Sequence, residues 1–214
     1  MFEIDLKNRL ISLIAKRNSG KSYLLRYLVN IQKHEFDRIF IICPTNILND
    51  FYKNTTEQEN IFYEYNELWM QSLIEKMTDI NSKLEKAKRK NVLLILDDLV
   101  ADIRFASCKS LRILAIRGRH IGISVITTSQ YLNTIPPIIR SNVDFTIVGN
   151  LNRKSLDLLE KECNTNLTRK EFNTLYLRST KDYGFLCINN TNVKNAMQLN
   201  TIYGTLKTPE DEFL

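Results

Sequence analysis

Residues Ala15-Lys16-Arg17-Asn18-Ser19-Gly20-Lys21-Ser22 place a lysine and a hydroxyl directly after a glycine. They fit G-x-x-x-x-G-K-[ST] at every fixed position but the first, where Ala15 stands for glycine. The chemistry of such a loop is the holding of phosphate. Backbone N–H groups converge on phosphate oxygens, and the positive end of the following helix points at the same place. Gly20 lets the backbone come close, the Lys21 ammonium reaches the β- and γ-phosphates, and the Ser22 hydroxyl ligates Mg²⁺. Lys16 and Arg17 add charge to the loop. Asn18 and Ser19 complete it, and Tyr23 follows as a further nucleotide contact. Ala15 is tolerable if its φ is negative and would strain the loop if it is not. The competing reading is a surface turn with an incidental lysine. An apolar run before the loop and an amphipathic helix after it weigh against that.

A second candidate site follows the aliphatic run Val92-Leu93-Leu94-Ile95-Leu96, which ends in Asp97-Asp98. A central strand of this kind delivers a carboxylate to the C-terminal edge of a parallel sheet, where ligands bind. Asp97 is placed to hold Mg²⁺, directly or through water, and Asp98 to orient or deprotonate an attacking water. The bland alternative is a strand-to-turn transition capped by Asp. Both motifs on one chain suggest the branch in which a further strand lies between the two motif strands and ends in a γ-phosphate sensor. Ile121 to Thr128 is that strand and Gln130 the sensor, able to bond both phosphate and water. Arg117, Arg119 and Arg140 flank it. Any of them could stabilise transferring phosphate from a neighbouring subunit, but each alone reads first as a surface or structural ion pair.

These groups need a frame to position them. The chain alternates β-rich runs with helical patterns, which predicts an α/β fold with a mainly parallel sheet. Leu10–Ile14, Arg38–Cys43, Val92–Leu96 and Phe145–Val148 read as strands, with a short one at Ile61–Tyr65. Helices are expected at Lys21–Gln32, Asn66–Lys90, Phe105–Arg117, Arg153–Cys163 and Thr168–Tyr176, with a short one opened by Pro136 and Pro137. Thr168 and Glu171 have capping-box spacing. Tyr183–Ile188 reads as a late antiparallel strand at one edge, and the acidic tail from Thr208 as frayed. The length of 214 residues suits one domain over 1–214.

A formal charge of +6 permits a polyanionic partner without demonstrating one. The basic run Lys83–Lys90 reads first as a solvated helix end and second as a DNA-binding stripe. Cys43, Cys108, Cys163 and Cys187 are widely spaced, so reduced thiols are expected and a zinc site is not. No apolar run has the length of about 20 needed to span a bilayer, and the N-terminus lacks the pattern of a secretory signal.

Taken together, AKRNSGKS, IFIICPTN (Ile39–Asn46), VLLILDD, RGRHIGISVITTSQ (Arg117–Gln130) and IPPIIRSN (Ile135–Asn142) resemble the DNA-packaging ATPases of double-jelly-roll viruses. These are the poxvirus-type packaging ATPases of the FtsK–HerA superfamily of P-loop NTPases. The likeness extends to the late run YGFLCINN (Tyr183–Asn190). It implies a RecA-like α/β domain that hydrolyses ATP with Mg²⁺ and assembles as a homo-oligomeric ring. Such a ring drives double-stranded DNA into a preformed capsid and meets capsid proteins at a vertex. Lys21 and Ser22 would bind phosphate and metal, Asp97 the metal, Asp98 would activate water, Gln130 would sense, and one flanking arginine would act in trans. The implied location is the host cytoplasm at virus assembly sites, or the virion. Two other classes share the loop: a small-molecule kinase such as a nucleoside kinase, and a nonenzymatic nucleotide-binding assembly protein. The absence of a clear arginine-bearing lid weighs against the first, and intact Lys21, Asp97 and Asp98 against the second.

Overall fold

The computed structural model describes residues 4–45, 51–99, 108–163, 166–191 and 202–210. Its frame is an eight-stranded sheet in the order β3-β2-β4-β5-β1-β6-β7-β8. The strands are β1 (Leu10–Ile14), β2 (Arg38–Ile42), β3 (Ile61–Phe62), β4 (Val92–Leu96), β5 (Ile123–Ser129), β6 (Phe145–Val148), β7 (Gly184–Asn189) and β8 (Ile202–Lys207). The ladders from β3 to β6 are parallel, and β7 and β8 close the sheet antiparallel. The strand carrying Asp97 is thus separated from the strand before the phosphate loop by β5, as expected.

The helices are α1 (Lys21–Gln32), α2 (Glu67–Ser82), α3 (Lys109–Arg117), the short α4 (Pro137–Arg140), α5 (Arg153–Cys163) and α6 (Arg169–Ser179). β1, β4 and β5 are buried along their whole length, because both sheet faces are covered. Successive residues of a strand serve opposite cores. Leu93 and Ile95 pack with Leu24, Leu25 and Val29 of α1. Leu94 and Leu96 pack on the other side with Met70 and Ile74 of α2, Leu114 of α3 and Phe172 of α6. The capping box of Thr168 and Glu171 forms at the start of α6.

Several expected boundaries shift by a few residues, β3 ending at Phe62 and α6 continuing to Ser179 among them, and two departures are larger. The helix expected to reach Lys90 ends at Ser82. The buried Asn81 carboxamide is the reason. Its Nδ2 donates to the carbonyls of Lys90 and Ile121, each at 2.9 Å, and its Oδ1 accepts from the Lys90 N–H at 2.8 Å. Lys90 must therefore fold back beside Asn81, and no straight helix permits that. Gly122, at φ +78, completes the junction: a Cβ there would lie 2.3 Å from the Lys90 carbonyl oxygen. The second shift is that β7 is not the edge strand. β8 pairs outside it, so the C-terminal edge is one strand further out. The expected start of α3, residues 105–107, lies outside the described residues, as do 211–214 of the tail expected to fray from Thr208; Thr208 itself is buried.

Asn81→Ala would leave the buried Ile121 carbonyl and the partly buried Lys90 carbonyl and N–H without this partner. Chemical denaturation should read a loss of roughly 2–4 kcal/mol. A loss below about 0.5 kcal/mol would show that the junction does not depend on this side chain.

Candidate functional site

The register of the central strands assembles the site. Ile14 pairs with Ser129 and Leu96 with Thr127. One step further along each strand, Ala15 stands level with Gln130, and Asp97 with Thr128. The phosphate loop, the acid pair and the expected sensor thus meet at one sheet edge.

The loop is anchored on both sides. The Ala15 N–H donates to the Ser129 carbonyl at 3.1 Å, and the Lys16 N–H to the Asn150 carbonyl at 2.9 Å. Ser19 Oγ donates to the Lys16 carbonyl at 2.6 Å. The backbone turns through left-handed conformations at Asn18 (φ 57) and Gly20 (φ 79). Asn tolerates that region better than most residues, and Gly does so freely. Gly20 then caps α1, accepting from the Leu24 N–H at 2.9 Å. Lys16, Arg17 and Asn18 are exposed, while Ser19, Gly20 and Ser22 are partly buried.

Ala15 is wholly buried and is not among the residues with positive φ. The missing first glycine therefore leaves no backbone strain. Its methyl group fills space next to Gly149, just past β6. A Cβ on Gly149 would sit 2.9 Å from Ala15 Cβ and 2.7 Å from Phe185 Cε1. The small residue has moved from the loop to the neighbouring strand end.

Lys21 is 7% exposed, and its Nζ donates to Asp98 Oδ1 at 2.7 Å. This ion pair brings the two motifs, 77 residues apart in sequence, into one cleft. Asp98 adopts φ 55, a left-handed value that Asp accepts more readily than most residues. Its N–H donates to Thr128 Oγ1 at 2.9 Å. Asp97 is 4% exposed. Thr128 Oγ1 donates to its Oδ1 at 2.5 Å, and Tyr52 Oη to its Oδ2 at 2.7 Å. Cys43 Sγ donates to the same Oδ2 at 3.4 Å. Burial and then the Asp97 charge push the Cys43 thiol up to about 11. The same two causes hold the Tyr52 phenol well above its ordinary value. Both groups keep their protons near neutral pH and donate to the carboxylate.

Tyr52, Thr128, Gly149 and Asn150 did not stand out among the candidate residues in sequence. Thr128 carries a usable signal, because hydroxyl side chains at Thr127, Thr128 and Ser129 are unusual in a strand that is buried throughout. Tyr52 carries none, since it reaches Asp97 across 45 residues. The Tyr23 ring packs edge-on against Phe51 with centroids 5.3 Å apart, and Phe51 does the same with Tyr52 at 5.0 Å. The Arg26 guanidinium lies 4.5 Å from the Phe51 ring centre. Tyr23 thus helps to seat Tyr52, and its own place at the loop is its backbone position in the first turn of α1.

The arginines do not converge on this cleft. Arg117 ends α3 and Arg119 lies between α3 and β5. Both are exposed and precede the seven residues of β5, so they sit at the opposite sheet edge. Seven residues of strand span roughly 20 Å. Arg140, the third candidate, is bound within its own chain, in line with its reading as a structural ion pair. Its Nε and Nη2 donate to Glu162 at 2.9 Å each, and its Nη1 to the Ile135 carbonyl at 2.6 Å. The basic run at Lys83–Lys90 is largely paired as well, Lys83 with Asp79, Lys88 with Glu85 and Lys90 with Asp37. A solvated, ion-paired face accounts for it better than a DNA-binding stripe does.

The residues present fit a magnesium site. Ser22 and Asp97 supply hard oxygen donors, and no cation contacts Asp97 among the described residues. Nor do those residues contain a cluster of three or more His, Cys, Asp or Glu side chains arranged for a metal. A cation here would take the rest of its shell from phosphate and water oxygens, as Mg²⁺ commonly does.

Sheet order, loop and acid pair define a P-loop NTPase fold. Among solved structures, the chain resembles B204, the DNA-packaging ATPase from Sulfolobus Turreted Icosahedral Virus. The TM-score is 0.66 and the identity 17%, covering 96% of this chain and 100% of that one. The genome packaging NTPase B204 from Sulfolobus turreted icosahedral virus 2, solved in complex with AMP, matches with TM-score 0.64 and 19% identity over 94% of this chain and 98% of that one. The model of the family described as Poxvirus A32 protein matches residues 5–199, and the chain belongs to that family. Uncharacterized protein 015R of Frog virus 3 (isolate Goorha) is 27% identical over 145 residues, covering 66% of this chain and 44% of that protein. The chain spans about half the length of the curated relatives it matches.

Gly149→Ala should cost roughly 1–3 kcal/mol by overpacking against Ala15 and Phe185. Adding Ala15→Gly should recover at least about 0.5 kcal/mol of that in a double-mutant cycle. Strict additivity in the denaturation data would mean that the two positions do not share the space.

Proposed function

We propose that this chain is the ATP-hydrolysing domain of a genome-packaging motor, coupling ATP turnover to movement of double-stranded DNA into a preformed capsid. The observation that carries the reading is the Lys21–Asp98 pair at 2.7 Å, which joins the phosphate loop to the acid pair. Membership of the poxvirus A32 family and the likeness to proteins described as packaging ATPases support the coupling to DNA.

In this reading the loop amides and Lys21 bind the β- and γ-phosphates, with Ser22 and Asp97 holding Mg²⁺, which neutralises phosphate charge when bound. Ala15, Lys16, Arg17, Asn18, Ser19, Gly20 and Tyr23 form or flank the cradle. Lys21 leaves Asp98 as the phosphates draw its ammonium away. The Asp98 carboxylate is then free to take a proton from the attacking water. Thr128 holds Asp97 and the Asp98 backbone in fixed relation, so the base keeps its position when its ion pair opens. Gln130 orients water and γ-phosphate from the end of β5. Arg117 and Arg119 can serve only a neighbour's cleft, which calls for a homo-oligomeric ring. Arg140 would first have to leave Glu162. Capsid proteins at a vertex would be the further partners, and virus assembly sites or the virion the location. No helix among the described residues is long and apolar enough to cross a membrane.

Asp98→Asn should keep ATP binding and lower turnover by about 10²–10⁴-fold, because an amide cannot accept the proton. Asn also accommodates the left-handed backbone at this position. Lys21→Ala should lose both binding and turnover. Asp98→Asn turning over at the parental rate would remove Asp98 from the base role. ATP hydrolysis should rise several-fold with duplex DNA in a sample of defined oligomeric state, and DNA affinity should fall with added salt through counterion release. Hydrolysis indifferent to DNA in an assembled sample would defeat the motor reading.

A further inference from the structure

We infer that the cavity between α5, α6 and the segment after β6 receives the base and ribose of the nucleotide whose phosphates the loop holds. The inference rests on the phosphate-loop reading above. Direction is the first argument. The acids that must face the γ-phosphate follow β4, on the β5 flank of β1. A triphosphate with its γ end toward them leaves the nucleoside on the other flank, where β6 lies.

The structure provides a receptacle there, tied to the loop. The Gly149 N–H donates to the Ile14 carbonyl at 2.9 Å, and the Asn150 carbonyl takes the Lys16 N–H at 2.9 Å. Tyr176 of α6 clamps this segment from behind. Its hydroxyl donates to the Gly149 carbonyl at 3.1 Å and accepts from the Leu151 N–H at 2.7 Å. Next to the clamped segment opens a cavity of about 760 Å³, with Asn150, Leu156, Asn173, Tyr176 and Leu177 in its wall. That volume is in the range of small-molecule and cofactor sites; Arg153, Lys181 and the Arg169–Asp157 ion pair add charged groups to the wall.

The wall has the chemistry a base needs. Leu177 is 62% exposed and offers an uncovered aliphatic surface, and Leu156 adds a second from α5. Burying either against a planar ring is favourable. The Asn173 carboxamide carries both a donor and an acceptor for a base edge. It makes no hydrogen bond or ion pair to another residue among the described ones.

The test compares two ligands that share phosphates and differ in the nucleoside. ATP and inorganic tripolyphosphate, each with Mg²⁺, are titrated by calorimetry into the parental chain and into Leu177→Ser and Asn173→Ala. Leu177 is exposed, so its substitution leaves the core intact. The parental chain should prefer ATP. Leu177→Ser should weaken ATP at least five-fold, Asn173→Ala should do so measurably, and tripolyphosphate should stay within two-fold for both. ATP affinity unchanged in both variants, or ATP and tripolyphosphate weakened alike, would overturn the assignment. If the parental chain binds neither ligand, the phosphate-loop reading fails and this inference with it.

Discussion

Burying a carboxylate at the end of a central strand costs several kcal/mol unless donors surround it. The neighbourhood of Asp97 is organised around that constraint. Lys21 is committed to the adjacent Asp98. Asp97 is held instead by neutral groups: Thr128, Tyr52 and the Cys43 thiol. Because Tyr52 and Cys43 hold their protons well into alkaline pH, the arrangement does not reverse near neutrality. Two adjacent carboxylates thereby acquire different surroundings. Asp97 is fixed and dry, suited to a permanent ligand role. Asp98 is about a third exposed and held by an ion pair that a more highly charged anion can displace.

The same economy of space shapes the phosphate loop. A glycine at its first position is a way of avoiding a side chain where two strands and a loop converge. Here the side chain is present, on Ala15, and the vacancy is on the adjacent strand end at Gly149. Since the Ala15 φ is not positive, glycine's conformational freedom is not what the position requires. What is required is that only one Cβ occupies the space in front of Phe185. The loop shape is thus a property of β1 and β6 together, bonded through Ile14 to Gly149 and Lys16 to Asn150.

Much of this was legible in the sequence because it is local. A glycine-lysine-serine step between an apolar run and an amphipathic helix, and an aliphatic run ending in two acids, each declare their chemistry within ten residues. Phe145–Val148 and Arg153–Cys163 fall where periodicity and breakers place them. The failures are tertiary. The polar run after Ser82 looks helical by composition, yet Asn81 reaches nine residues ahead and forty beyond to turn the chain. Tyr52 has no local mark of its part at Asp97, and β8 lacked a pattern distinct enough to be named. Arg140 sits in a stretch that the family resemblance made suggestive, while its partner Glu162 lies on another helix. Type and spacing identify what a residue can do, and packing decides what it is free to do.

That distinction bears most on the arginines, and through them on assembly. Phosphoryl transfer is helped by positive charge placed where negative charge spreads over the transferring group. Among the described residues Lys21 is the cation paired with the acids, and it is needed for the ground-state phosphates as well. Arg140 is bound by Glu162 and by a backbone carbonyl, and releasing it would leave Glu162 without its partner. Arg117 and Arg119 are exposed, on the edge opposite to their own cleft. In the proposed reading a second chain, set with that edge against the first chain's phosphate edge, would bring a further guanidinium to the site, beside Arg17 of the loop. Such a head-to-tail contact uses two different surfaces and closes into a ring when its rotation permits. An arginine at the wrong end of the sheet for its own cleft is at the right end for a neighbour's, so the separation becomes an argument for assembly.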